Sequence, residues 1–238
     1  MRIRAITFDL WNTLISEGKY VDLRVRYLHN LLLQRGYIRT YEDVCEAYNL
    51  SHEYAHRVTM EENNRHVPAE ERIDYILRRL NVKLSPKMRS VIARRFEEAI
   101  LERPPPLLEG VKETLNSLKG RYLMGIISDT GITPGRVMRR LLKRLQILGF
   151  FDSTVFSDEV GFNKPHRAIF ERALKELGVK PKEVIHVGDL LQTDIQGAKS
   201  MGITAVWLNR DNVPPSFIKP DYEITALPQL INILDGTI

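Results

Sequence analysis

The chain has very little cysteine and no long hydrophobic run. A single cysteine, Cys45, stands among 238 residues, so no disulfide can form within the chain. No apolar stretch approaches the roughly 18–20 residues that a membrane-spanning helix needs, and the opening MRIRAITFDL has the pattern of a strand rather than of a signal peptide. These absences exclude a disulfide-rich secreted domain and predict a soluble, cytoplasmic protein.

Charge of neither sign dominates the sequence. There are 35 Lys and Arg residues and 30 Asp and Glu residues, which give a net charge of +5 spread along the whole chain. This diffuse excess favours a small anionic molecule as substrate and gives no reason to expect a membrane or nucleic acid as partner. With 43% hydrophobic residues the chain can bury a sizeable core. We expect a monomer or a homodimer.

Two kinds of sequence pattern divide the chain. From Tyr20 to about Arg103, apolar residues recur at three- and four-residue steps, as in VDLRVRYLHNLLLQRG, and this predicts helices almost throughout. The stretch RPPPLLEG interrupts the pattern, because consecutive prolines cannot supply helix donors. After it, apolar strand patterns such as YLMGIIS alternate with helical ones such as GRVMRRLLKRLQILG and TDIQGAKSMG.

Alternation of nearly all-apolar strands with helices predicts an α/β fold with a Rossmann-like, doubly wound parallel sheet. The first strand, Ile3 to Phe8, belongs to this sheet although about ninety helical residues separate it from the next strand. We therefore predict a Rossmann-like core of residues 1–15 and 108–238. An all-helical cap domain of residues 16–107 is inserted after the first strand.

Polar residues follow four of the predicted strands, and ligands of such sheets bind at the carboxyl ends of the strands. In chain order these residues are Asp9 and Thr13, then Ser128 and Asp129, then Lys164 in GFNKPH, and finally Asp189 and Asp194 in GDLLQTD. Each one alone is unremarkable, since every strand must end somewhere. Together they bring acids, hydroxyls and an ammonium group to one rim, which predicts an active site.

In this order the four motifs resemble those of the haloacid dehalogenase superfamily of hydrolases, which also has a helical cap between its first and second motifs. The resemblance covers the whole core, whereas the cap matches only in position and helical character. It implies that Asp9 is a nucleophile that forms a covalent intermediate and that Thr13 orients the nucleophile loop. It also implies that Ser128 and Lys164 are catalytic and that they bind and neutralise the transferred group. The residues predicted to bind substrate are Ser128, Lys164, Trp11, Asn12 and Asp129.

Several carboxylates at one rim also predict a metal ion. Carboxylates that converge on one cleft repel one another unless a cation lies between them, and Mg²⁺ prefers oxygen ligands. Asp9, Asp189 and, through water, Asp194 fit this preference, and the resemblance adds the backbone carbonyl of Trp11. An alternative for Asp194 is a position at the start of the helix TDIQGAKSMG, with Thr193 as its cap.

The residue two positions after Asp9 argues against a phosphatase. In the phosphatase branches of the superfamily this residue is an aspartate that protonates the leaving oxygen and later activates water, whereas the indole of Trp11 does not titrate. In the branch that hydrolyses 2-haloacids the position is aromatic, and a halide leaves without a proton. The first motif alone therefore favours a metal-independent (S)-2-haloacid dehalogenase.

The fourth motif favours the phosphatase. The dehalogenase branch uses no metal and replaces the first acid of this motif, whereas Asp189 is retained here, and Leu191 is apolar where that branch resembles Ser-x-Asn. Asp129, where dehalogenases resemble Asn, departs as well. Loss of the general acid costs about 3–5 kcal/mol on an alkyl phosphate and little when the leaving group is good. We therefore predict a Mg²⁺-dependent phosphohydrolase for a small phosphorylated or activated phosphoester substrate, with the dehalogenase as alternative.

Basic residues outside the motifs have a plainer interpretation. Arg24, Arg26 and Arg39 are the candidates for a clamp on a substrate carboxylate, but arginines on a helix surface are the default. The segment RVMRRLLKRL is basic on one face and apolar on another, so a third hypothesis is a non-catalytic protein that docks on nucleic acid or an acidic partner. Such helices more often cover a core with a solvated face.

Overall fold

The computed structural model describes residues 2–214 and 217–236, which belong to two compact units. The first, here called the sheet unit, comprises Met1–Glu17, Pro105–Asp129 and Leu142–Ile238. The second, here called the helical unit, comprises Gly18–Pro104 and Thr130–Leu141. This division differs from the predicted ranges chiefly at residues 130–141, which it assigns to the helical unit. As ranges of functional domains, 1–15 with 108–238 and 16–107 remain a prediction.

A six-stranded parallel sheet, in the order β3-β2-β1-β4-β5-β6, forms the centre of the sheet unit. The strands are β1 (Ala5–Phe8), β2 (Leu123–Ser128), β3 (Ser153–Phe156), β4 (Val184–Gly188), β5 (Thr204–Leu208) and β6 (Tyr222–Ile224). All four residues of β1 are buried, as expected of a central strand covered on both faces. The predicted α/β fold with a doubly wound sheet is confirmed. Strand β6 lies outside the prediction because two of its three residues are exposed.

Ten α-helices occur in the described part of the chain. They are α1 (Val21–Gln34), α2 (Tyr41–Glu61), α3 (Ala69–Arg79), α4 (Pro86–Glu102), α5 (Val111–Leu118), α6 (Gly135–Arg144), α7 (Ser157–Val160), α8 (Arg167–Leu177), α9 (Gln196–Ser200) and α10 (Gln229–Leu234). Helices α1 to α4 fill the stretch where the sequence predicts helices, and residues 18–104, all of them described, contain no β-strand. None of the helices in the described residues has the length and apolar character to cross a membrane.

Local signals in the sequence explain where the helices of the helical unit begin. The Thr40 hydroxyl accepts a hydrogen bond from the Asp43 backbone N–H, 3.0 Å away, and the Asp43 carboxylate accepts one from the Thr40 backbone in return. The Ser85 hydroxyl caps α4 by accepting a hydrogen bond from Met88 N–H at 3.3 Å, with Pro86 at the first helical position. The apolar faces of α1 to α4 meet in one core that contains Leu28, Tyr48 and Phe96 among its buried residues.

The helix α6 is shorter than the sequence predicts. The pattern GRVMRRLLKRLQILG favours one long helix, but α6 ends at Arg144 and Gln146 adopts a left-handed backbone with φ of 61°. The apolar residues of α6 are buried, and Arg140 forms an ion pair with Glu98 at 2.5 Å. Because part of its basic face is already neutralised by acids, the helix offers little support for docking on nucleic acid.

Close packing of α9 on α8 depends on a glycine. A Cβ atom at Gly197 would lie 2.5 Å from Phe170 Cε2 and 3.2 Å from the backbone Cα of Pro165. Phe170 is fully buried among the apolar residues of α8, α9 and the sheet. Any side chain at position 197 must therefore displace both an aromatic ring and a segment of backbone.

We expect Gly197→Ala to lower the free energy of unfolding by about 1–3 kcal/mol through overpacking, despite the better helix propensity of alanine. Urea denaturation measures this change. Gly149→Ala is the control, because a Cβ there meets nothing within 4 Å. The added loss should shrink when Phe170→Ala is combined with Gly197→Ala, since the two share one contact. Equal stability of the Gly197 and Gly149 variants would contradict the packing argument.

Candidate active site

The register of the sheet brings three strand ends together. Phe8 of β1 pairs with Ile126 of β2 on one side and with Val187 of β4 on the other. Asp9 follows Phe8 directly, and the sequence reaches Ser128 and Asp189 two residues beyond those partners. Because the strands are parallel, their carboxyl ends lie at the same edge of the sheet. The predicted residues of the first, second and fourth motifs thus share one edge.

Backbone hydrogen bonds to β4 and within the loop fix the segment after β1. Asp9 N–H donates to Val187 O at 2.8 Å, and Asn12 N–H donates to Ile15 O at 2.8 Å. Asn12 has a left-handed backbone with φ of 52°, a conformation that asparagine tolerates better than most residues. Its side chain hydrogen-bonds to the carboxylate of Asp189. Thr13 is fully buried, and its hydroxyl has no hydrogen-bond partner among the described residues.

Lys164 lies at the centre of the acidic groups. Its ammonium group contacts Asp9 Oδ1, and it donates hydrogen bonds to Asp194 Oδ1 at 2.7 Å and to Ile127 O at 3.1 Å. The side chain is only 2% exposed. Burial opposes the charge, but the neighbouring Asp194 and Asp9 raise the pKa of Lys164 above its usual value. Lys164 is therefore a fixed buried cation rather than a solvated surface residue.

Asp129 fixes the loop that carries Lys164. Its Oδ1 accepts a hydrogen bond from the backbone N–H of Lys164 at 2.8 Å. Burial raises the pKa of Asp129 to about 6, against the lowering effect of Lys164. The neighbouring hydroxyl of Ser128 donates to Asp129 O at 3.3 Å. Asp129 therefore has a structural role, because its carboxylate positions the backbone of Lys164.

Asp194 is the most enclosed acid of the cluster, at 1% exposure. It lies in a π-helical turn, Leu191–Ile195, and its Oδ2 accepts a hydrogen bond from Leu190 N–H at 3.1 Å. The turn has no side-chain cap, so the predicted cap by Thr193 is wrong, whereas Asp194 does lie in its first turn, as the alternative expects. Burial opposes ionisation, but Lys164 and His186 hold the pKa of Asp194 below its usual range.

His186 and Thr7 extend this network into the sheet and lie outside the predicted site. His186 Nε2 is 3.3 Å from Asp194 Oδ1, and its Nδ1 is 2.9 Å from Thr7 Oγ1. Burial lowers the pKa of His186, so the ring is neutral: Nε2–H donates to the carboxylate and Nδ1 accepts from the hydroxyl. A polar residue inside the apolar strand VIHVG is the signal in the sequence that indicates it.

Trp207 is a second residue that the sequence argument misses. Its indole N–H donates to Asp189 O at 2.9 Å and so holds the backbone of the first acid in the fourth motif. The register explains the contact, because Trp207 of β5 pairs with Gly188, the residue before Asp189. The pattern AVWLNRD shows only an apolar strand.

The acids form a group that suits a small divalent cation. Asp9, Asp189 and Asp194 each offer one oxygen, and these three oxygens lie within 4.8 Å of one another. Burial, together with Asp194 and Asp189, raises the pKa of Asp9 to about 8, and burial raises that of Asp189 to about 6. One ammonium group cannot balance three ionised carboxylates, and the raised pKa values show that the acids resist sharing this space as anions without a further cation. A hard ion with oxygen ligands, such as Mg²⁺, fits both the donor set and the charge.

The Rossmann-like, doubly wound sheet, with acids, a hydroxyl and a buried ammonium at its carboxyl edge, is typical of hydrolases that use an aspartate nucleophile. A family model described as haloacid dehalogenase-like hydrolase matches residues 3–202. The chain belongs to the haloacid dehalogenase-like hydrolases.

Two relatives match this chain over nearly all of its length. It is 34% identical to the glyceraldehyde 3-phosphate phosphatase of Pyrococcus furiosus, over 98% of this chain and 94% of that protein. A phosphatase of the same superfamily from Thermococcus onnurineus, solved by crystallography, is 27% identical over 98% of this chain and 99% of its own, with a TM-score of 0.65.

A 2-haloacid dehalogenase from Pseudomonas syringae has a TM-score of 0.76 at 22% identity, over 99% of this chain and 100% of its own. At that identity the likeness speaks for the fold alone.

We expect Lys164→Met to destabilise the protein by about 3–5 kcal/mol, because it leaves buried carboxylates without their cation. Chemical denaturation in EDTA measures the loss, and adding Asp194→Asn should recover part of it. The control is Lys199→Met, which removes an exposed ion pair with Asp221, 2.6 Å long, and should cost about 0–1 kcal/mol. A Lys164 variant no less stable than the Lys199 variant would contradict the proposed charge balance.

Proposed function

We propose that this protein is a Mg²⁺-dependent phosphohydrolase that uses Asp9 as nucleophile on a small phosphorylated substrate. The observation that carries the proposal is the convergence of oxygens from Asp9, Asp189 and Asp194 within 4.8 Å. A dehalogenase of this family needs no such group of acids, whereas a phosphatase needs a cation beside a dianionic phosphate. The net charge of +5 is compatible with an anionic substrate.

The relatives support a substrate class. The Pyrococcus furiosus protein acts, by its name, on glyceraldehyde 3-phosphate, a three-carbon aldehyde with one phosphate ester. Alignment over nearly the full length of both chains includes the helical unit as well as the sheet unit. We therefore propose a short phosphorylated carbohydrate as the physiological substrate.

Each residue of the site has its own role in the proposed reaction. The Asp9 carboxylate attacks phosphorus, and the bond from phosphorus to the ester oxygen breaks as the aspartyl phosphate forms. Lys164 and Ser128 bind the phosphoryl oxygens. The ammonium group of Lys164 and the hydroxyl of Ser128 thereby stabilise the negative charge that develops on these oxygens. Water then attacks the aspartyl phosphate, which releases phosphate and restores Asp9. Asp129 keeps Lys164 in place through its backbone N–H.

The metal ligands are assigned to the same edge. We propose that Asp9, Asp189 and the backbone carbonyl of Trp11 hold Mg²⁺, with Asp194 acting through water. The ion would supply positive charge that offsets the excess of carboxylate over ammonium and draws the substrate phosphate toward Asp9. Asn12, which hydrogen-bonds to Asp189, would fix the orientation of that ligand.

Trp11 sets a limit on the reaction. It is half-buried, and its indole N–H cannot titrate to protonate the leaving oxygen. The leaving group must then take its proton from solvent or be a good leaving group in its own right. The same residue is the observation that favours the second candidate function, a metal-independent (S)-2-haloacid dehalogenase, because a halide leaves without a proton.

We also propose a cytoplasmic location and a monomeric or homodimeric state. The lone, half-buried Cys45 suits a reducing compartment.

One assay separates the two functions. Glyceraldehyde 3-phosphate, acetyl phosphate and 2-chloropropionate are offered side by side, each with Mg²⁺ and with EDTA. We expect phosphate release that requires Mg²⁺ and is lost in Asp9→Asn, and no chloride release. Chloride release in EDTA would instead select the dehalogenase, and phosphate release that survives Asp9→Asn would refute the assigned nucleophile.

A second assay tests the role of Trp11. We expect Trp11→Asp to raise kcat on alkyl phosphates at least tenfold, because general acid catalysis is worth about 10²–10⁴ in rate. Its effect on acetyl phosphate should be small, since that leaving group needs no proton. Trp11→Asn is the matched control, with a similar size to aspartate and no titratable proton. Equal alkyl-phosphate turnover in the two variants would rule out the missing acid as the limit.

A further inference from the structure

Arg72 is a buried cation without an acidic partner. It lies on α3 in the helical unit and is only 3% exposed. Its Nη2 donates to Ser51 Oγ at 3.2 Å, and its Nε is buried with no hydrogen-bond partner among the described residues. Among the residues that the structure describes, no carboxylate forms an ion pair with Arg72. An isolated buried guanidinium is costly unless something compensates its charge.

A second buried arginine adds to the imbalance. The sequence suggests a helix-surface position for Arg24, but the structure buries it, with 8% exposure. Its three hydrogen bonds all end on neutral oxygens: Phe96 O at 2.9 Å, Tyr48 Oη at 3.0 Å and Thr133 Oγ1 at 3.2 Å. The prediction for Arg24 is therefore wrong, because the polar groups of α2, α4 and residue 133 satisfy its donors inside the unit.

The charges of Arg24 and Arg72 also affect the pKa values of neighbouring groups. Burial, and then the charge of Arg24, lower the pKa of Arg72 to about 10, with Tyr48 opposing them. Partial burial, and then the charges of Arg72 and Arg24, lower the pKa of His52, whose side chain is still partly exposed to solvent. The groups that act on these two residues include no carboxylate. Arg24 and Arg72 thus hold buried positive charge with no carboxylate among the described residues to balance it.

Other arginines of the same unit show that this arrangement is specific. Arg65 pairs with Glu71 at 2.9 Å, Arg89 with Asp74 at 2.9 Å, and Arg103 with Asp22 at 2.9 Å, although all three arginines are far more exposed than Arg72. Exposed arginines gain little from an acid, whereas a buried one gains much. The acids of the helical unit thus pair with exposed arginines, where an ion pair stabilises least, and not with Arg72.

Space remains beside the guanidinium of Arg72. A Cβ atom built on Gly131 would meet a single neighbouring atom within 4 Å, Arg72 Nη1 at 3.9 Å. Glycine at position 131 therefore leaves the neighbourhood of Arg72 Nη1 without a packed side chain.

We propose that the helical unit binds an oxyanion at Arg72, a carboxylate, phosphate or sulfate group whose oxygens accept hydrogen bonds from the guanidinium. The planar guanidinium presents parallel N–H groups that match two oxygens of such an anion. Arg24 adds a second positive charge inside the same unit. The inference rests on residues of the helical unit alone and does not depend on the proposed phosphatase activity.

The test measures binding of two probes, sulfate and acetate, to the full chain by calorimetry in EDTA and low-chloride buffer. We expect Arg72→Gln to weaken binding of the preferred probe tenfold or more, because charge-assisted hydrogen bonds are lost. Arg79→Gln, an exposed arginine on the same helix, is the matched control and should bind like the unchanged protein. Stronger binding of sulfate would identify a tetrahedral oxyanion, and stronger binding of acetate a carboxylate.

Ser128→Ala separates this site from the phosphate-binding residues of the sheet unit. Probe binding that persists in Ser128→Ala and is lost in Arg72→Gln supports the proposal. Probe binding unchanged in Arg72→Gln overturns it, whatever Ser128→Ala does.

Stability gives a second readout. Without the probe, Arg72→Gln should melt no lower than the unchanged protein, because a buried charge has been removed, and sulfate or acetate should raise Tm less in Arg72→Gln than in the unchanged protein. Arg72→Lys, which keeps the charge but not the planar donors, should give a smaller rise in Tm. A large drop in Tm for Arg72→Gln with an unchanged rise on adding the probe would assign Arg72 a purely structural role and refute the site.

Discussion

The contact of one buried ammonium group with two buried carboxylates is the interaction on which the site depends. Lys164 touches Asp9 and Asp194, which arrive from the ends of different strands, and its backbone is fixed by Asp129. Without the ammonium, these acids could not share a dry region of the fold. With it, Asp9 has a defined direction and a positive neighbour at the place where a phosphoryl group would acquire charge.

The two units carry opposite charge imbalances. At the edge of the sheet, Asp9, Asp189 and Asp194 outnumber the single ammonium of Lys164, and the donors are hard oxygens. In the helical unit, Arg24 and Arg72 are buried without an acid among the described residues. Since buried charge is tolerated only when it is compensated, each imbalance points to a ligand of the opposite sign. The first fits a divalent cation and the second an oxyanion.

Trp11 shows why the reaction is harder to infer than the family. The phosphatase and dehalogenase branches share the sheet, the nucleophile and the lysine, so the fold does not separate them. The acid cluster favours the phosphatase, and the lack of a titratable group at position 11 favours a reaction whose leaving group needs little help. Both observations are compatible with a phosphatase that selects substrates whose leaving groups need little protonation. The relative from Pyrococcus furiosus, a phosphatase by name, adds weight to the phosphatase rather than to the dehalogenase.

The sequence by itself determined the α/β class, the helical stretch between the first two strands and the strand-end positions of Asp9, Ser128 and Asp189, because hydrophobic periodicity and strand-end polarity are local properties. Only the tertiary structure decided that His186 supports Asp194, that Trp207 holds the backbone of Asp189 and that Arg24 and Arg72 are buried. These contacts join residues whose separation along the chain carries no pattern. Register between strands and packing between helices set them, and neither can be read from the spacing of residues in one chain.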